Sequence, residues 1–310
     1  MSPAQEFAID AAGVAFRYGE RTALSDVSFT VPRGAVHGFL GPNGSGKSTL
    51  FKLLATMLPL REGRVTVLGL DLRNAAAALR ARLGVVFQSP ALDRKLSVRA
   101  NLRYGGHLFG LRGAELERRI DEMLEVGGLA SRSGDKVGEL SGGLRRRVEI
   151  GKGLLHRPEL VLLDEPSTGL DPSARQELWK FLRSRPGLTV LFTTHQMEEA
   201  DDADQPTILD GGRVVARGAP DALRAELGGD VLEITGGEPD ALVAELRSRL
   251  GIESRAFGRS VRMQVPRAHE LVPRIVEAFG ARVQRLTLAQ PSLEDVFLQK
   301  TGHRLMEDGD

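Results

Sequence analysis

Cysteine is missing from this chain altogether. No disulfide framework and no thiolate metal site can be built without it. A strong charge of either sign is missing too. The 42 lysines and arginines against 41 aspartates and glutamates leave a formal +1 over 310 residues. So close a balance gives no protein-wide field for nucleic acid or an anionic membrane surface. No apolar run approaches the roughly 20 residues that span a bilayer. The first ten residues are polar and lack the basic-then-apolar layout of a secretory signal. The expectation is a cytoplasmic protein, with any membrane-spanning part supplied by another chain. The length allows one large domain plus a smaller one, or two medium ones.

From Val14 to about Ala219, short β-branched runs alternate with amphipathic helical stretches, an α/β layout. Val27, Phe29 and Val31 alternate as in a half-buried strand. Val36 to Leu40 is a short apolar strand that ends at a glycine loop. Leu116, Ile120, Met123 and Leu124 share one helical face. Leu160 to Leu163 and Leu188 to Phe192 read as buried strands. Asp171 followed by Pro172 marks a helix start, and Asp210-Gly211 a hairpin turn. The pattern changes near Gly228-Gly229. There follow a strand (Val231 to Ile234), a helix (Leu242, Leu246, Leu250), two strands (the second with Val261, Met263 and Val265), a helix and a strand (Val283 to Leu288). That order is the split βαβ pattern of a ferredoxin-like unit. Pro273 either starts the second of these helices or kinks it. Ser292 and Asp295 form a capping-box pattern before a final helix with Leu293, Val296 and Phe297 inward.

The glycine loop reads Gly41-Pro42-Asn43-Gly44-Ser45-Gly46-Lys47-Ser48-Thr49. It fits G-x-x-x-x-G-K-[ST], and it has the required strand before it and helix after it. Phosphate oxygens need many donors at close range. Glycines let backbone N–H groups turn inward, and the helix beginning near Lys47 adds its unpaired N–H groups and the positive end of its dipole. Lys47 supplies a point charge for the β- and γ-phosphates, and the Ser48 hydroxyl an oxygen for Mg²⁺. Asp164 and Glu165 end the apolar run Leu160 to Leu163, at the carboxyl end of a strand where α/β sheets bind ligands. Asp164 is placed to hold Mg²⁺, directly or through water. Glu165 is the candidate general base for an attacking water.

A second glycine-rich helix start lies far downstream, at Ser141-Gly142-Gly143, followed by Leu144 and three arginines. Together with the two phosphate motifs and the His195 that follows the next strand, it makes Phe7 to Ala219 resemble the nucleotide-binding subunits of ABC transporters. The resemblance implies a P-loop fold with a mixed sheet and a helical subdomain over about 89–157, within a nucleotide-binding domain at 1–225. The small α+β domain at 229–310 is accessory.

The resemblance also assigns roles. Tyr18 stacks on adenine. Gln88 touches Mg²⁺ and the attacking water. Gly169-Leu170-Asp171 crosses between subunits, and His195 is the switch at the γ-phosphate. Duller readings stand beside these: a half-buried strand aromatic for Tyr18, a loop cap for Gln88, a satisfied strand-end histidine for His195. Ser141, Gly142 and Gly143 complete the ATP site of a partner subunit, so two sites form in a head-to-tail dimer, most simply of identical chains. Ser141 read alone is an N-cap before a tight turn. Arg145, Arg146, Arg147 and Lys152 read as a solvated face or as counter-charges for nearby acids.

Leu144-Arg145 departs from the glutamine that commonly follows the two glycines. It is similar to exporters of the drug-resistance and Nod-factor group, as are Leu92 to Leu111 and Gln290 to Gly302. The implied function is ATP hydrolysis, with Mg²⁺, in an exporter whose permease is a separate integral membrane protein. The chain would then sit at the cytoplasmic face of the membrane, with Leu92 to Tyr104 facing the permease. An importer subunit with an added β-barrel is the alternative. A non-transport ABC ATPase acting on DNA or ribosomes is a further one, and no nucleic-acid partner is expected.

Overall fold

The computed structural model describes residues 6–280 and 282–303. The described residues divide into two units, 6–217 and 218–303. The first unit opens with two long strands, β1 (Phe7–Tyr18) and β2 (Arg21–Pro32), then β3 (Val36–Leu40) and α1 (Lys47–Leu54). There follow β4 (Glu62–Val67), β5 (Leu70–Asp71), α2 (Ala76–Arg80) and β6 (Leu83–Val86). A helical stretch comes next: α3 (Val98–Leu108), α4 (Gly113–Val126) and α5 (Gly142–Leu154). The unit closes with β7 (Leu160–Asp164), α6 (Pro172–Arg183), β8 (Thr189–Thr194), α7 (Met197–Asp201), β9 (Thr207–Asp210) and β10 (Arg213–Arg217).

Two sheets divide these strands. An antiparallel sheet runs β2-β1-β4-β5, and a six-stranded sheet runs β10-β9-β3-β8-β7-β6. In the larger sheet β3, β6, β7, β8 and β9 are parallel; only β10 turns back, through the Asp210-Gly211 hairpin. The central strands bear out the apolar-run rule: every residue of β3 and β8 is buried, as expected for strands covered on both faces. Strand β2 shows the other pattern, with Leu24, Val27, Phe29 and Val31 buried in alternation with more exposed neighbours. One core joins these two sheets with Leu50, Phe51, Leu53 and Leu54 of α1. A second core takes the inward face of α4 (Leu116, Ile120, Met123 and Leu124) together with residues of α3, α5 and α6.

The second unit consists of α8 (Pro220–Ala225), β11 (Asp230–Thr235), α9 (Pro239–Glu245), β12 (Arg255–Phe257), β13 (Ser260–Val265), α10 (Leu271–Phe279), β14 (Arg285–Ala289) and α11 (Leu293–Thr301). Its sheet order is β12-β13-β11-β14, antiparallel throughout. That is the ferredoxin-like arrangement of a split βαβ. Leu242 and Leu246 join Ile275 and Phe279 over Leu232, Ile234, Val261 and Met263. Pro273 lies in the first turn of α10, where backbone N–H groups have no intrahelical partner to lose. Helix α11 carries the capping box, with Ser292 accepting from the Asp295 N–H and Asp295 accepting from the Ser292 N–H. Helix α8 falls on the second unit's side of the division, ahead of the composition change near Gly228.

Candidate nucleotide site

Strand β3 delivers the chain into the glycine loop, and tight packing explains the loop's glycines. A Cβ on Gly41 would lie 2.2 Å from the Leu209 carbonyl oxygen and 2.7 Å from Ser45 Oγ. Gly46 caps α1 in the left-handed region at φ 101°, where a side chain would also meet the Ala23 carbonyl at 2.7 Å. No side chain caps α1 and no acid sits in its first turn. Its leading N–H groups and dipole are therefore left for an anion. Ser45 Oγ is buried without a hydrogen-bond partner. Asn43, Gly44 and Ser48 are exposed; Pro42 and Thr49 are half-buried.

Lys47 is buried, and its ammonium donates to the Gly41 carbonyl at 2.6 Å and the Pro42 carbonyl at 2.9 Å. Burial lowers its pKa, while the negative charges of Glu165 and Asp164 act to raise it. Loop and acids are therefore close enough to interact. Asp164, at the end of β7, accepts the Thr193 hydroxyl at 2.5 Å. The same Thr193 Oγ accepts the Glu165 N–H at 3.1 Å.

Glu165 itself has φ 45°, a conformation that costs a non-glycine residue energy. Its carboxylate is the meeting point of three elements. Gln88 Nε2, beyond β6, donates to Oε2 at 2.8 Å, and the Thr168 hydroxyl donates there at 3.2 Å. His195 Nδ1, beyond β8, lies 3.0 Å from Oε1. The structure thus gathers Lys47, Gln88, Asp164, Glu165 and His195. Gln88 bonds a carboxylate rather than capping a loop, whereas His195, directly after β8 and held on Glu165, also fits the reading of a satisfied strand-end histidine.

Tyr18 is 46% exposed at the end of β1, with its ring edge-on to Phe16. It pairs with Arg21 across the hairpin. Arg21 Nη2 lies 3.9 Å from where a Cβ on Gly44 would be, so this hairpin flanks the glycine loop. No motif in the sequence signals Arg21.

Ser141, Gly142 and Gly143 sit elsewhere. Ser141 Oγ accepts the Leu144 N–H at 3.4 Å as the N-cap of α5. A Cβ on Gly142 would be 3.8 Å from the Gly169 carbonyl, and one on Gly143 3.6 Å from Leu170 Cδ2. Asp171 caps α6 by accepting the Ala174 N–H at 3.0 Å. Among the described residues, no hydrogen bond links Ser141–Gly143 to the loop of their own chain. The arginines that follow split three ways. Arg145 donates to the Leu140 carbonyl, and Arg147 pairs with Glu177. Arg146 is only 8% exposed, so the reading of a solvated face fails for it.

Oxygen donors suited to Mg²⁺ are present in Ser48, Asp164 and Gln88. Among the described residues no group of three or more His, Asp or Glu side chains could hold a metal alone. Such a set fits Mg²⁺, which is usually bound by one or two carboxylates plus substrate phosphates.

Comparison with known proteins gives the family. Residues 24–168 match the family model described as ABC transporter. Residues 218–301 match the C-terminal domain of DrrA1-3-like ATP-binding proteins. The daunorubicin resistance ATP-binding protein DrrA2 of Streptomyces coeruleorubidus is 39% identical over 309 residues, 96% of each chain. The Nod factor export ATP-binding protein I of Rhizobium johnstonii is 39% identical over 305 residues, again 96% of each. Among solved structures, cbiO1 of Clostridium perfringens, part of the ABC transporter complex cbiONQ, has a TM-score of 0.66 at 27% identity, over 79% of this chain and 96% of that one. A dimeric ATP-binding cassette bound to ADP and Pi, MJ0796, has a TM-score of 0.61 at 26% identity, over 68% and 98%. With near-complete coverage in both directions, the chain belongs to the ABC-transporter ATP-binding proteins, in the group that includes the daunorubicin-resistance and Nod-factor export ATPases.

Proposed function

We propose that this ATPase is the motor of an exporter, closing head to tail with a second copy and driving a separate membrane permease. The observation that carries the reading is the environment of Glu165. A carboxylate held at φ 45° touches Gln88 and His195 and interacts with the Lys47 ammonium. In that setting Glu165 orients and polarises the water that attacks the γ-phosphate, and a base of this kind contributes about 10²–10⁴ in rate. Gln88 and His195 hold the carboxylate from both sides, and His195 turns to the γ-phosphate when nucleotide enters. Lys47 and the N–H groups of Gly41 to Thr49 neutralise the phosphates. Ser48 and Asp164, with Gln88, would hold Mg²⁺, which shields phosphate charge when bound. Tyr18 stacks on the adenine.

Ser141, Gly142 and Gly143 complete the site of the other copy. In their own chain they lie beside Gly169 and Leu170, and α5 carries no acid in its first turn. ATP then binds the closed pair more tightly than the open one, which is what moves the equilibrium. The relatives named for export of Nod factor and resistance to daunorubicin support the outward direction. An added β-barrel would have favoured an importer, but the second unit is a four-stranded antiparallel sheet with helices. No helix among the described residues is long and apolar enough to cross a membrane; in this proposal the permease supplies the path. The chain's station is then the cytoplasmic face of the membrane.

The test is co-purification from cells expressing the native neighbouring genes. A polytopic membrane protein is expected to come down with the chain. Recovery with no membrane partner would contradict the motor assignment.

A further inference from the structure

Three side chains on one side of α5, Arg146, Glu149 and Lys152, grip the segment that carries Gln88. Arg146 Nη1 donates to the Phe87 carbonyl at 2.7 Å, one residue before Gln88. Glu149 Oε1 accepts the Ala91 N–H at 2.8 Å, and Lys152 Nζ donates to the Ala91 carbonyl at 2.8 Å. Arg146 also reaches the end of β7. Its Nη2 donates to the carbonyls of Asp164 at 2.8 Å and Glu165 at 3.3 Å, and its Nε to that of Pro166 at 3.0 Å. Glu149 Oε2, 3.2 Å from Nη1, balances the charge. Arg146 and Glu149 are each 8% exposed.

One planar fork therefore binds four backbone carbonyls on two separate strand ends, besides a carboxylate. Those carbonyls lie at or beyond the ends of the parallel ladder, so another group must satisfy them. Lysine could not replace this geometry, because its ammonium is a point charge with no fixed fork. Two of the four carbonyls belong to Glu165 and to the residue before Gln88. Glu165 occupies a backbone conformation that persists only where its surroundings over-determine it. Close packing keeps α5 against β6: a Cβ on Gly84 would sit 2.4 Å from the Gly153 carbonyl.

We infer that Arg146 is a positioning residue for hydrolysis. It holds the backbones of Glu165 and Gln88 in one alignment and ties that alignment to α5, whose first turn carries Ser141–Gly143. Movement of α5 when the partner's nucleotide is engaged is thereby passed to the base and to the water-binding glutamine. This rests on the reading of Glu165 as the base.

The test compares Arg146→Lys, Arg146→Gln and Glu165→Gln in the full chain. Three quantities are measured: thermal stability, ATP affinity by fluorescent-nucleotide titration, and kcat per nucleotide-binding site at saturating ATP. Both Arg146 variants are expected to fold and to bind ATP within about twofold of the parent. Their kcat should fall by about tenfold or more, because a small misplacement of a reacting group is that costly. Arg146→Lys should not restore kcat. A purely stabilising arginine would lower the fraction of folded sites and leave kcat per site unchanged. A smaller fall in kcat, or a loss that tracks ATP affinity, overturns the inference. So does failure of both variants to fold, which would assign Arg146 to stability alone. If Glu165→Gln hydrolyses ATP normally, the base assignment fails instead, whatever Arg146 does.

Discussion

His195 Nδ1 lies 3.0 Å from Glu165 Oε1. The two residues leave adjacent parallel strands, β7 and β8, whose register pairs Asp164 with Thr193. Each strand ends one residue before the side chain in question, so the ladder sets their separation. The contact keeps the carboxylate aimed while Gln88 holds its other oxygen.

Glu165→Gln preserves size but removes the charge. It is expected to slow hydrolysis by about 10²–10⁴ and to accumulate an ATP-bound dimer. Size-exclusion chromatography with ATP, beside a phosphate-release assay, reads both effects. Turnover at the parent rate would show that another group activates the water.

Lys47→Ala deletes a buried ammonium that bonds to two loop carbonyls. A charged hydrogen bond is worth about 1.5–3 kcal/mol, so ATP affinity should fall by roughly tenfold to a hundredfold. Nucleotide titration measures it. Unchanged affinity would mean that the ammonium does not reach the phosphates.

Ser141→Arg places bulk and charge at an exposed helix start. ATP binding by the monomer should persist, and ATP-driven dimers should vanish. Light scattering with and without ATP distinguishes the two. Dimers of normal yield would remove Ser141 from the partner's site.

His37 on β3 packs against the rings of Phe29 and Phe39 and contacts Thr207 Oγ1 at 3.0 Å. Burial, aided by the charge of Arg217, pushes its pKa from 6.5 down to about 3. The folded state keeps the ring neutral, whereas the unfolded chain protonates it below about pH 6.5. The unfolded state thus binds the extra proton, and stability is lost as pH is lowered from about 6.5 toward about 3, by up to about 1.4 kcal/mol per pH unit. Urea melts of the parent and of His37→Gln at pH 7 and pH 5 test this. The parent should lose more stability between the two; equal losses would contradict the assignment.

Ser292→Ala removes the capping hydroxyl of α11, which accepts the Asp295 N–H. A cost of about 1 kcal/mol is expected. Calorimetry should show it as a lower melting temperature for the second unit with ATP affinity unchanged. A coupled loss of ATP binding would show that α11 influences the nucleotide site.

Local chemistry made much of the molecule legible in advance. The Asp171 and Ser292 caps and the apolar runs each state their role within a few residues, and Gly41 to Thr49 and Asp164-Glu165 state their proposed one. Backbone geometry and burial act over that short range. The long strand β1 was less legible, because Gly13 takes φ 63° and the pairing shifts register between Ala11 and Val14. The split βαβ order could be read because its helix and strand periods differ so plainly.

What the sequence by itself determined is which segments have the glycine and helix-start chemistry suited to phosphate and which form strands, since those depend on neighbouring residues. Only the tertiary structure decided that Gln88 and His195 meet on one carboxylate, and that the middle arginine of three is buried while the others are not. Those outcomes come from the parallel order of β6, β7 and β8 and from α5 packed against them. No short window of sequence contains that long-range geometry.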